Sequence, residues 1–71
     1  MINNFWLVTK PNEHSTLNDV LFETDARGVA LQVMGGLTPD EIVGMYTDFE
    51  EAFDTAFEAM VDAGCDPENA L

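Results

Sequence analysis

The chain has 71 residues, 46% of them apolar and seven aromatic (five Phe, one Trp, one Tyr). That is enough for one compact core in a single domain, 1–71, and too much for a disordered acidic tail. Fourteen Asp and Glu face only two Lys and Arg, a net charge of −12, which repels nucleic acid and anionic lipid and argues against either as a direct partner.

In chain order, "NFWLVTK" (4–10) reads as a strand, aromatic and β-branched and closed by Pro11. "PNEHST" (11–16) is polar turn chemistry, and "LNDVLFET" (17–24) reads as a second strand. "DARG" (25–28) is suited to closing a hairpin with Gly28 at positive φ, and "VALQVM" (29–34) then returns as a third strand before Gly35-Gly36. "LTPDEI" (37–42) marks a helix start. Thr38 caps, Pro39 suits the first helical position, Glu41 completes a capping box, and Leu37 is placed to staple onto Ile42. From there Ile42, Met45, Tyr46, Phe49, Phe53, Ala56, Phe57 and Met60 recur at helical spacing, with Gly64 as a stop and Pro67 beyond it.

Two features divide that helix. Gly44 weakens it by about 1 kcal/mol relative to Ala, and "TDFE" (47–50) offers a second capping box. The preferred reading is a helical region over 38–64 with a possible break near 47, because both halves stay in phase. The rival makes "EIVGMYT" (41–47) a fourth strand followed by a helix from 48. The fold class is therefore α+β: a three-stranded antiparallel sheet, four-stranded under the rival reading, packed against a C-terminal amphipathic acidic helix. The strands fall within 4–34, and a frayed polar tail occupies 65–71.

Phe49, Phe53 and Phe57 are expected to hold the helix on the sheet. Phe5, Leu7, Val20, Phe22, Val29, Leu31 and Val33 are expected to face them from the strands. The other sheet face, with Trp6, Val8, Leu21 and Met34, is half apolar and is a candidate dimer face; the alternative is scattered surface apolar residues.

Little points to catalysis. The single His14 stands beside the single Ser15 in a turn, without an orienting carboxylate fixed by the sequence. Cys65, the one cysteine, permits no internal disulfide and lies among acids that oppose thiolate formation. "DAGCDPEN" (62–69) lacks calcium-loop spacing, and there is no glycine-rich phosphate loop or His/Cys zinc cluster. No catalytic residue, metal or cofactor is expected. No apolar run approaches the ~18 residues of a membrane span, and "MINNFWLVTK" lacks a basic leader region. These features point to the cytosol of a host cell.

The charge is unevenly placed. Residues 1–27 set Glu13, Asp19, Glu23 and Asp25 against Lys10 and Arg27, whereas residues 28–71 hold ten acids and no base. On the helix, Asp54, Glu58 and Asp62 form one row, each about 6 Å along the axis from the next, with Asp48, Glu50 and Glu51 nearby. A DNA strand spaces its phosphates ~3.4 Å along its axis, so both present a dense anionic track to Lys and Arg. Solubility in a small domain is served by a net charge of about 2–8, which −12 exceeds. Halophilic adaptation produces a similar composition.

In its length, in "DFEEAFDTAFEAMVDAGCDPE" (48–68) and in the lack of bases after Arg27, the chain resembles the small acidic inhibitors made by phages and mobile elements. These are the anti-CRISPR and anti-restriction proteins, several of which mimic DNA. The class shares no motif, so no site residues carry over from it. The resemblance implies a non-catalytic inhibitor whose acidic surface docks on the basic channel of a nucleic-acid-binding defence complex. Asp48, Glu50, Glu51, Asp54, Glu58 and Asp62 are the expected contact set. The alternative is a small structural or regulatory subunit that dimerises through the apolar sheet face.

Overall fold

The computed structural model describes residues 3–65. Strand β1 (Phe5–Thr9) is followed by a single helical turn, α1 (Leu17–Val20), strand β2 (Leu21–Thr24) and helix α2 (Ala26–Met34). A 3₁₀ turn (Pro39–Glu41), strand β3 (Ile42–Tyr46) and helix α3 (Phe49–Asp62) complete the fold. The three strands form one antiparallel sheet in the order β2-β1-β3, with α3 packed across it. The architecture is the expected α+β class, but its third strand is 42–46 and not 29–34.

Local capping explains most of the differences from the sequence reading. The segment 17–24 is a strand only in its second half, because Thr16 and Asp19 close a capping turn first. The Thr16 amide and hydroxyl each donate to Asp19 Oδ2 at 3.0 Å. Residues 25–28 form no hairpin. Asp25 accepts from the Gly28 amide at 2.8 Å and acts as the N-cap of α2, so Gly28 and 29–34 are helical. Ala, Arg, Leu, Gln and Met in that run are all good helix formers, which a short alternating pattern conceals.

Helix α2 ends where Gly36 takes a φ of 117°, with the Leu37 amide donating to Gln32 O at 2.9 Å and the Gly36 amide to Val33 O at 3.1 Å. Helix α3 ends the same way. Gly64 sits at φ 85°, and the Cys65 and Gly64 amides donate to Met60 O and Val61 O at 2.9 and 3.1 Å. Both are Schellman closures, and both need a residue free of Cβ strain.

The preferred helical reading of 38–47 is overturned in favour of its rival. The box at Thr38 does form, with Thr38 Oγ1 donating to Glu41 Oε1 at 3.0 Å, but it starts a single 3₁₀ turn. Ile42 and Val43 are β-branched, Gly44 is a poor helix former, and the free edge of β1 offers a ladder instead. Gly44 lies opposite Val8, and a Cβ there would meet the Tyr46 hydroxyl at 2.6 Å, so the glycine makes room for the tyrosine ring. A bulge at Val43 shifts the register between Val8↔Gly44 and Thr9↔Ile42. Asp48, not Thr47, then caps α3, accepting from the Glu50 amide at 3.2 Å.

The core lies between α3 and one face of the sheet. Ala52, Ala56 and Met60, one per helical turn, are buried with Val8, Val20, Leu21 and Cys65. Trp6, Leu17, Tyr46, Phe53 and Ala63 ring this cluster. The helix-covered face is thus the Trp6/Val8/Leu21 face, the reverse of the expected assignment. β1 is apolar on both sides, so its alternation could not choose between them. Leu7 is fully buried on the other face, where Phe22 and Met45 stand directly across from it.

Candidate functional site

Helix α3 carries the candidate surface. Two small side chains, Ala52 and Ala56, let its backbone approach the sheet, and that contact fixes which arc is turned outward. Asp48, Glu50, Glu51, Asp54, Glu58 and Asp62 are all exposed, so the fold presents the whole expected contact set to solvent along one helix. The only ion pair among the described residues lies elsewhere, between His14 Nε2 and Glu13 Oε1 at 3.3 Å. No Lys, Arg or His within 4.0 Å therefore offsets any of the six carboxylates.

Their roles within the helix differ. Asp48 serves the N-cap, and Glu50 and Glu51 occupy the first turn, where the helix dipole favours negative charge. Asp54, Glu58 and Asp62 have no such support. The last turn holds no basic residue, and Asp62 stands at the negative end of the dipole.

The phenylalanine stripe departs from expectation. The buried row is Ala52/Ala56/Met60, and the phenylalanines flank it as a ladder. Trp6 meets Phe49 edge-to-face at 4.8 Å between centroids, Phe53 follows at 5.9 Å, and Phe57 stacks on Phe53 at 6.4 Å. Phe53 is partly buried, but Phe49 and Phe57 are 46% and 38% exposed and Val61 is 50% exposed. Phe57, Glu58, Val61 and Asp62 line one surface depression, so apolar and anionic groups alternate there. Sequence reasoning assigned Phe49 and Phe57 to the core. The missed signal was the pair of alanines one turn apart, which mark the close-packed side of a helix more narrowly than large apolar residues do.

The candidate dimer face does not exist as one surface. Val8 and Leu21 are buried beneath α3, Trp6 packs on Phe49, and Met34 stands exposed on α2. Cys65 is not part of a frayed tail. It is buried in the core, and its thiol donates to the Asn12 carbonyl at 2.9 Å, joining the end of α3 to the 11–16 turn. The rest of that tail, 66–71, and with it the expected role of Pro67, lies outside the described residues.

His14 and Ser15 form no catalytic pair. The Ser15 hydroxyl and the His14 amide both bond to Asn12 Oδ1, at 3.3 and 2.8 Å, and the imidazole faces Glu13. A groove of about 470 Å³ beside α3 is lined by Lys10, Pro11, Asn12, Val43, Ala59, Asp62 and Ala63, without a nucleophile paired to a base. Among the described residues, no three His, Cys, Asp or Glu side chains are grouped to hold a metal ion, and no helix is long and apolar enough to cross a membrane. The Asp19 carboxylate is held below the ordinary aspartate range by the Thr16 amide and then by the Thr16 hydroxyl. It serves the cap of α1. No protein-family model matches the chain, and no similar protein was found among curated sequences or solved structures.

Proposed function

We propose that the chain is a non-catalytic inhibitor that docks the acidic face of α3 on the basic nucleic-acid channel of a host defence complex, in the manner of anti-CRISPR or anti-restriction DNA mimics. The observation that carries this reading is the set of six exposed carboxylates on α3 and its N-cap, with no cation within 4.0 Å among the described residues. Like charges one turn apart cost a few tenths of a kcal/mol per pair. A few lysines would remove that cost, and the chain keeps it. A rigid helix holds the carboxylates at fixed spacing before contact, which lowers the ordering cost of binding.

The reading is tested by titrating the full chain into DNA-cleaving CRISPR and restriction complexes loaded with labelled duplex. Displacement of the duplex is expected, with an affinity that falls steeply as salt rises. The triple variant Glu51→Lys/Asp54→Lys/Glu58→Lys is expected to lose inhibition while keeping its circular-dichroism melt, since all three positions are exposed. Full inhibition by that variant would sink the proposal.

A further inference from the structure

Helix α3 repeats one kind of residue pair every four positions. The pairs Phe-Glu, Phe-Asp, Phe-Glu and Val-Asp begin at 49, 53, 57 and 61. Residues four apart form a continuous ridge on a helix, and residues one apart fall on neighbouring ridges. The apolar members therefore make one ridge and the carboxylates the next, with a shallow groove between them. In the C-terminal half of α3 that groove is the depression lined by Phe57, Glu58, Val61 and Asp62. Its apolar wall is open to solvent, with Phe57 38% and Val61 50% exposed, because Ala52, Ala56 and Met60 make the buried contact instead. Its anionic wall has no cation within 4.0 Å among the described residues.

A groove with one apolar and one anionic wall fits a long cationic side chain, whose aliphatic stem lies on the first while its head meets the second. Arginine fits better than lysine, since its planar fork pairs bidentately with carboxylates and stacks on aromatic rings. We infer that the groove takes a row of arginines from a helix of the partner protein, one every four residues; this rests on the acidic-face docking proposed above. The repeat sets the form of the partner. Successive pairs on α3 are ~6 Å apart along the axis, and interlocking four-residue ridges are the commonest way two helices pack. A strand repeats on one face every ~6.7 Å and loses register by about 2 Å over three intervals. A second copy of the chain does not fit, because Arg27 is its one arginine.

Two synthetic peptides of one composition, each about 18 residues, test the inference by fluorescence anisotropy with the full chain. The first carries Arg at every fourth position, and the second spreads the same arginines evenly around the helix. The first is expected to bind about tenfold or more tightly and to gain helical circular dichroism on binding. Phe57→Ser/Val61→Ser is expected to abolish that preference while leaving the purely ionic affinity for oligolysine unchanged. Should the double variant unfold, Val61→Ser alone is expected to weaken the first peptide by about threefold or more.

Equal binding of the two peptides, or binding of neither, overturns the inference. So does a preference that survives the serine variants, or tighter binding of an extended peptide with Arg at every second position. Nucleic-acid displacement that the charge-reversal variant loses and Phe57→Ser/Val61→Ser keeps in full leaves the proposed inhibition standing and overturns this inference, so the two fail separately.

Discussion

Cys65 shows how a single residue acquires a role that composition hides. Its position after Gly64 is the residue following a Schellman turn, where an apolar side chain folds back on the last helical turn. Burial beside Met60 and the thiol–carbonyl bond to Asn12 then tie two segments 53 positions apart. The thiol is therefore expected to react with an aromatic disulfide reagent only as the protein unfolds, and rapid labelling of the native chain would contradict this. Cys65→Ala is expected to lower stability by about 1 kcal/mol, measured by denaturant melts.

Asp19 makes a pH-dependent contribution of the opposite visibility, fully at the surface. Its folded-state carboxyl titrates below the unfolded value because Thr16 bonds to its charged form. The stabilisation is present above the unfolded value and is lost as pH falls through the folded one. A carboxyl NMR titration is expected to show Asp19 below the ordinary aspartate range, and Thr16→Ala to move it back upward. An unchanged midpoint in that variant would mean the bonds to Thr16 do not set it.

Among the elements, α3 is the one on which the rest depends, and its contact is made by small side chains. Ala52 and Ala56 are fully buried where the helix meets the sheet, so added volume has nowhere to go. Ala56→Leu is expected to destabilise the fold by about 1–3 kcal/mol through overpacking, while Phe57→Ser, at an exposed rung of the ladder, is expected to cost much less. Thermal melts of the two variants decide whether the alanine row or the phenylalanine row holds the helix.

The elements also show what was legible in the sequence. β1 and α3 were, because each carries a strong local pattern closed by a clear stop, at Pro11 and at Gly64. The exposed acidic row was legible for the same reason, since helical spacing alone places Asp54, Glu58 and Asp62 in line. α2 and β3 were misread because local capping and tertiary pairing compete there. Asp25 turns an alternating run into a helix, and the free edge of β1 turns a capped run into a strand. The side of the sheet that faces α3 was not legible, because the two faces of β1 are equally apolar.

At the scale of the whole molecule, the chain separates two kinds of surface. Exposed acids are densest on α3 and the turn before β3, and α2 exposes Leu31, Val33 and Met34 beside an acid-free turn. For a chain this short, which buries only about 60% of its unfolded surface, partners on either surface would add appreciably to stability by mass action.

The strand order β2-β1-β3 leaves the outer edge of β3 without a strand beside it among the described residues. That edge, "IVGMY", has no proline and no charge, and it presents Val43 and Met45 outward. Such an edge is a template for adding another strand, and natural sheets usually guard theirs with lysine, proline or a bulge. Here a single bulge is the local guard, and distance-acting repulsion does the rest. That second guard can be switched off. Near the isoelectric point of about 4.1 the molecules cease to repel, and edge-to-edge strand addition is expected to appear as rising light scattering that Met45→Lys suppresses. If scattering stays flat through that pH, the edge is protected by something other than charge.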